Sequence, residues 1–469
     1  MTLQVDPGIA HGDTAWMLTA AALVMFMTPG LGFFYAGFTR SKNALATIMQ
    51  SFIVVALVGV LWVIVGYTLA FGPTESGIIG NLDFFGFKDV GIDPATIPVV
   101  TNIVDGEAVD VTWTPTIPHE AFAIFQAMFA IITPALITGA FAERAKFSTF
   151  LIFMAAWSLL VYAPVAHWIF GAGWLGITDS GGINALDFAG GAAIHINAGA
   201  AALAAAFLYG RRKGYGKEPM EPSNVTYIVL GTAILWFGWF GFNAGSAGAA
   251  TGQAANAFVV TNTAAATAAL SWMFASWALT GKASVIGAAA GAVAGLVAIT
   301  PASGFVEPWA AIAIGGVAGV ICYGAVRLRA ASGLDDSLDV VGVHGVGGTW
   351  GALATGLFAT ASVSGLVDNE GLFYGNGEQV LHQLAAIGVV WVYSFGVTAL
   401  ILKTLDLTIG LRVSEEEEDL GLDVTQHGER GYVLDEPAGL PIHQFSAGPA
   451  AMPSPAPLVQ PESAGSGAS

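Results

Sequence analysis

"GGAAIHINAGAA" (190–201) reads as the middle of a membrane helix, yet His195 sits inside it. "VGVHGVGG" (341–348) repeats the feature with His344. The surrounding composition decides the solvent. Of 469 residues, 55% are hydrophobic and only 10% charged, and the mean hydropathy is +0.69. A soluble domain carries about 25% charged residues. A core of ordinary size could not hide this much apolar surface, so the bilayer is the expected solvent. In hydrocarbon every backbone N–H and C=O needs an internal partner, which makes the spanning segments helices. An ionisable ring is costly there and usually faces a pathway.

Apolar runs of about 20 residues, each enough to cross hydrocarbon, are expected at 14–38, 44–71, 119–142, 147–170, 187–209, 225–246, 257–280, 283–300, 307–330, 340–360 and 379–409. The expected fold class is an all-α integral membrane protein with eleven transmembrane helices. Basic residues orient it. With the N-terminus outside, Arg40, Lys42, Arg144, Lys146, "RRKGYGK" (211–217), Lys282, Arg327 and Arg329 fall in inner loops. Lys403, Arg412 and Arg430 lie at or beyond the inner end of the last span. Only Lys88 of the 15 basic residues falls outside, leaving 14 on one side. The orientation is therefore N-out/C-in. The formal charge of −18 belongs largely to the acidic external loop 72–118 and to the tail.

Five spans end with a His-bearing helix that follows Asp187, and five more end with one that follows Asp339. An odd number of spans per half inverts the second half, a common transporter plan. The membrane domain is expected over 1–412, with inverted five-helix repeats at about 14–210 and 225–360 and a final helix at 379–409. Residues 413–469 form a cytoplasmic tail, Pro/Ser/Ala/Gly-rich and expected to be disordered after about 437. Small-residue strings such as "GAAAGAVAG" (287–295) suit close helix packing rather than phosphate binding. The lone Cys322 excludes an intrachain disulfide. The start "MTLQVDPGIAHGDTAW" has no basic stretch of the kind that opens a signal peptide.

Two histidines fall short of the three or four ligands that zinc needs. A neutral imidazole pair suits a substrate that exchanges hydrogen bonds and protons. At 1.5 Å per residue, His195 lies roughly 12 Å below its outer helix end and His344 about 7 Å above its inner one, which does not by itself make them touch. Asp187 and Asp339 stand where helices begin, and each is expected to act chiefly as an N-cap. Phe125 and Phe129 share one helix face, and so do Trp239, Phe242 and Ser246. Such stripes are usually core. The hydroxyl of Ser246 at the end of one also fits a small-cation site. A serine hydrolase built on "NAGSAG" (243–248) lacks the G-x-S-x-G turn.

Four stretches carry a family resemblance: "DFAGGAAIHINAGA" (187–200), "GWFGFNAGSAG" (238–248), "DVVGVHGVGGTWG" (339–351) and "GLRVSEEEEDLGLDVTQHGERGY" (410–432). The chain resembles the ammonium transporter family (Amt/Mep/Rh) from about residue 13 to about 432. The resemblance implies eleven-helix homotrimers in the cell membrane, with one pore per subunit, and no enzyme, cofactor, metal or nucleic-acid chemistry. It implies that His195 and His344 are hydrogen-bonded pore histidines and that Trp239 is a lower pore-lining aromatic. Phe125 and Phe129 match an external gate that Phe242 also lines. Ser246 and Phe129 match two members of an external cation-recruitment site. Its third member is usually Trp; "AHWIFGAG" (166–173) puts Phe170 there, with Trp168 facing roughly 200° away. Asp187 matches an acid near the pore entrance. The expected function is recruitment of NH4+, its deprotonation and conduction of NH3 past the two histidines. Alternatives are a transporter-like ammonium sensor, which should carry a signalling domain larger than this tail, and, less favoured, the hydrolase. The resemblance further implies a docking face for a PII-type signalling protein at the "RRKGYGK" loop and the acidic start of the tail.

Overall fold

The computed structural model describes residues 8–432 apart from 75, 95–97, 105–106, 113–115, 178–181 and 368–369, and gives the backbone course alone for 98–104 and 107–112. Each of the eleven expected segments holds a helix. These are α1 His11–Phe38, α2 Ser41–Phe71, α3 His119–Ala140, α4 Phe147–Phe170, α5 Gly191–Tyr209, α6 Val225–Gly245 and α7 Gly252–Thr280, followed by α8 Val285–Ile299, α9 Pro308–Ser332, α10 (341–358) and α11 Glu378–Thr408. Among the described residues nine of these are long and apolar enough to cross a membrane; α8 is a shorter apolar helix. Large side chains such as Val392 and Leu407 stay exposed, as they should where the surrounding solvent is hydrocarbon.

Outside the helices, the 72–118 loop adds an antiparallel hairpin of β1 Pro98–Val104 and β2 Glu107–Thr112, with Thr101 opposite Asp110. The loop is tied down where it re-enters: the Tyr67 hydroxyl at the end of α2 hydrogen-bonds the His119 ring at the start of α3.

Helices close on one another through small residues, as the composition suggested. A Cβ on Gly231 of α6 would lie 2.4 Å from the backbone N of Phe34 in α1. The helices are also locally widened. α2, α4, α5 and α10 each contain a π-helical turn, at Trp62–Gly66, Ser158–Tyr162, Gly191–Ile196 and Val341–Gly345. Such turns are rare and concentrate at functional sites. The last two contain His195 and His344.

The start of α5 differs from the expectation. The helix begins at Gly191, not at Asp187, because Gly190 adopts φ 106°, a left-handed conformation that halts helix growth. Each histidine therefore sits about one turn inside its helix, in matching positions.

At the opposite end, α12 Glu415–Leu420 and α13 Leu422–His427 pack against the loops that carry the basic residues. Ser414 and Glu417 form a capping box on α12. Asp423 accepts the Leu45 and Ala46 N–H groups at the start of α2, at 3.1 and 2.8 Å. The disorder expected after about 437 falls outside the described residues.

Candidate functional site

Three cavities lie in the helix bundle, and a ring contact and a set of shared residues place them in order. The first, about 30 Å³, is lined by Phe125, Gln126 and Phe129 of α3, Phe170 at the end of α4, Phe188, and Ser246 just after α6. It is an aromatic cup with one hydroxyl. Ser246 Oγ donates to the Phe242 carbonyl at 2.8 Å, which leaves its lone pairs free to accept a hydrogen bond. Phe170 lines the same cup as Phe129 and Ser246. Trp168 turns away: its indole N–H donates to the Ile78 carbonyl at 2.7 Å, and its ring packs on Tyr393.

The floor of the cup is closed by rings. Phe125 meets Phe129 edge-on at 4.9 Å between centroids, and Phe129 lies 4.3 Å from Phe242. Beneath them is a void of about 10 Å³, lined by Leu31, Ile132, Trp239, Phe242, His195 and His344. That is about the smallest space that holds one water molecule. The imidazoles are its main polar groups. His195 Nδ1 and His344 Nδ1 are 3.2 Å apart, within hydrogen-bond reach, with ring centroids separated by 5.3 Å. Trp239 stacks on His195 at 5.4 Å and is held by its N–H, which donates to Thr300 Oγ1 at 2.8 Å. His195 Nε2 is buried with no hydrogen-bond partner among the described residues. An imidazole facing the void with an open nitrogen can bind a small hydrogen-bonding molecule; an unpaired buried polar atom otherwise costs free energy.

His344 also lines the third cavity, about 350 Å³, which is bounded by Tyr35, Phe38, Trp272, Tyr323 and Asp339. The void and this cavity share Phe34, Val293 and His344, and the contact of Phe129 with Phe242 separates the void from the cup.

Helix-start electrostatics hold the two histidine helices. Asp187 accepts four backbone N–H groups: Gly190 and Gly191 on Oδ1 at 2.9 and 2.6 Å, and Ala192 and Ala193 on Oδ2 at 2.8 and 3.0 Å. It caps α5 from a distance, against the positive end of the helix dipole. The expectation that Asp339 does the same for α10 is corrected. Asp339 has φ 59° and pairs with Arg329 at 2.7 Å. Asp336 instead accepts the Val341 N–H at 2.8 Å. The true repeat is in the spacing: positions 187 and 195, like 336 and 344, are eight apart.

All the residues singled out from sequence except Asp187 line the cavities, and Asp187 supports the helix that carries His195. Sequence reasoning missed Gln126, Phe188, Thr300 and Asp336. Gln126 had a signal, an amide inside an apolar span beside Phe125. Phe188 and Thr300 had none, because neither falls on the helix faces that define the stripe.

With this geometry in view, the comparisons are specific. The profile of the Ammonium Transporter Family matches residues 15–432. An ammonium transporter of Bacillus subtilis is 48% identical over 422 residues, which cover 90% of this chain and 98% of that protein. The crystal structure of Candida albicans Mep2 superposes with a TM-score of 0.78 at 38% identity, covering 88% of this chain and 89% of that one. A structure described as a sensor Amt protein superposes with a TM-score of 0.77 at 29% identity, covering 89% and 98%. The hydrolase alternative falls with this result, and the chain belongs to the ammonium transporter family as a multi-pass membrane protein.

Proposed function

We propose that the protein takes NH4+ into the outer cup, strips a proton from it and passes NH3 through the histidine void. The carrying observation is a void of about 10 Å³ whose apolar wall is interrupted by two imidazoles in mutual contact. A bare ammonium ion loses its hydration there at prohibitive cost, whereas neutral ammonia does not carry that charge penalty. The aromatic cup attracts the cation through ring faces, with Ser246 accepting one N–H. Deprotonation breaks an N–H bond, leaves its electron pair on nitrogen and passes the proton to an imidazole, His195 Nε2 being the open ring nitrogen. The resulting NH3 exchanges hydrogen bonds with the imidazoles in place of water. Potassium has no N–H and gains nothing from them.

The orientation we propose is N-out/C-in in the cell membrane, because 14 of the 15 basic residues then share the cytoplasmic side. The inverted repeat is supported by the contacts between α5 and α10: Gly199 meets Gly345 while His195 meets Gly348, the register of antiparallel helices. We propose a homotrimer, as in the family. We also propose that the cytoplasmic face, where Lys213 pairs with Asp419 of the tail, docks a PII-type partner. A sensor role is the second reading, favoured by the likeness to a structure described as a sensor Amt protein. Recording currents from proteoliposomes during ammonium pulses separates the two. A transporter gives a saturable ammonium signal, by current or by internal pH, that disappears in the His195→Leu, His344→Leu double variant or turns into unselective cation leak. Wild-type flux and selectivity in that variant would falsify the conduction mechanism.

A further inference from the structure

Outside the pore, a groove of about 690 Å³ opens between the "RRKGYGK" loop and the end of α9. Arg211, Arg212, Lys217 and Arg329 line it, against two carboxylates, Glu218 and Asp339. That cationic surplus stands out in a chain of net charge −18. Two of the four cations are already paired. Arg212 Nη2 lies 2.9 Å from Asp335 Oδ1, and Arg329 Nε lies 2.7 Å from Asp339 Oδ1. Among the described residues Arg211 and Lys217 form no ion pair. Arg211 is nevertheless positioned. Its Nε donates to the Gly333 carbonyl at 2.8 Å, and its guanidinium lies 5.9 Å from the Tyr215 ring centroid. The groove also has an apolar wall of Phe38, Met220 and Pro222.

We propose that this groove binds a phosphate ester of nucleotide size. Its phosphates would pair with Arg211 and Lys217, and its organic part would cover Phe38, Met220 and Pro222. The guanidinium fork matches phosphate oxygens geometrically, and lysine adds a compact point charge. The volume falls within the range of about 300–1,000 Å³ typical of small-molecule sites. Inorganic phosphate uses the cationic end and leaves the apolar wall wet, so it binds more weakly than an ester. The same chemistry has two sources, a soluble nucleotide and the headgroup of an anionic phospholipid. Phe38 and Asp339 also line the inner cavity of the pore. A phosphate that draws Arg329 away from Asp339 therefore changes the charge at the mouth of that cavity. The binding claim stands apart from the conduction mechanism.

The test uses full-length protein. Delipidated protein in detergent is titrated with ATP, AMP and inorganic phosphate by calorimetry. Protein in nanodiscs, with and without phosphatidylglycerol, is examined for retained lipid by native mass spectrometry. The expected result is saturable ATP binding, tighter than that of inorganic phosphate and weakened about tenfold or more, about 1.4 kcal/mol, in the Arg211→Gln, Lys217→Gln double variant. Lys282→Gln, an exposed cation elsewhere, controls for general charge and should leave binding unchanged. Retention of phosphatidylglycerol that the double variant abolishes, without ATP binding, assigns the site to a lipid headgroup. Absence of both ligands, or a double variant that binds like wild type, overturns the proposal.

Discussion

Gly199 and Gly345 meet backbone to backbone: a Cβ on Gly199 would lie 2.3 Å from Gly345 Cα and 2.4 Å from its N. No other residue type fits on the α5 side, and beside this close crossing the His195 and His344 rings come into contact, His195 one turn before Gly199 and His344 next to Gly345. Gly199→Ala should force the helices apart, destabilising the fold by about 1–3 kcal/mol as overpacked cores do. It should also lower ammonium flux more than it lowers the amount of folded protein. Thermal unfolding in detergent, read beside flux in proteoliposomes, checks this; unchanged melting and flux would show that the crossing is not rigid.

Asp187 uses both carboxylate oxygens, two N–H groups on each. Asp187→Asn keeps one acceptor and turns an NH2 toward the other two donors. Asp187→Ala leaves all four without the side-chain acceptor. Each buried donor left unsatisfied costs about 1–3 kcal/mol. The expected stability order is therefore Asp, then Asn, then Ala, with a clear step at each. An Asn variant as stable as wild type would mean that one oxygen suffices.

Phe170 lines the aromatic cup with Phe129 and Ser246. Phe170→Trp strengthens the ring face offered to a cation, within the range of about 0.5–2 kcal/mol for such contacts. Half-saturation for methylammonium should fall by roughly twofold or more, with little change in maximal flux. Ser246→Ala should raise it. If uptake curves for Phe170→Trp overlie wild type, residue 170 does not touch the bound cation.

Asp335 lies in the loop before α10 with its side chain fully buried against Arg212. Burial raises its pKa, but the Arg212 hydrogen bond and the charges of Arg144 and Arg212 outweigh that and hold it below the usual carboxylate value. A depressed carboxylate pKa contributes stability above the unfolded value of about 3.9, and the contribution is lost as pH falls through the lower folded value. Asp335→Asn should therefore destabilise the protein at pH 7 by about 3–5 kcal/mol, the scale for breaking a buried pair. The gap from wild type should shrink below about pH 4. A melting-temperature series over pH checks it; a gap that stays constant to acid pH would rule out this pair as its source.

The sequence by itself determined the solvent and the helical class, and it put a helix within each expected segment, because hydropathy acts locally and a helix in hydrocarbon satisfies its own backbone. It also determined the family, through four motifs that each lie within one short stretch. Even the aromatic stripe of Trp239 and Phe242 was legible, since i and i+3 share a helix face. Tertiary structure decided the rest. The contact between His195 and His344 spans 149 residues of chain and depends on a glycine crossing whose partners no periodicity links. Asp339 looked like the match to Asp187 because it is the acid nearest to α10. The fold gives that place to Asp336, because Asp339 is turned to Arg329 by its left-handed backbone. Phe188 and Thr300 entered the site from outside the stripe, one as a wall of the cup and one as the acceptor that fixes Trp239. Local pattern sets what each segment is. Only packing sets which segments share a cavity, because burial rewards contact without regard to separation along the chain.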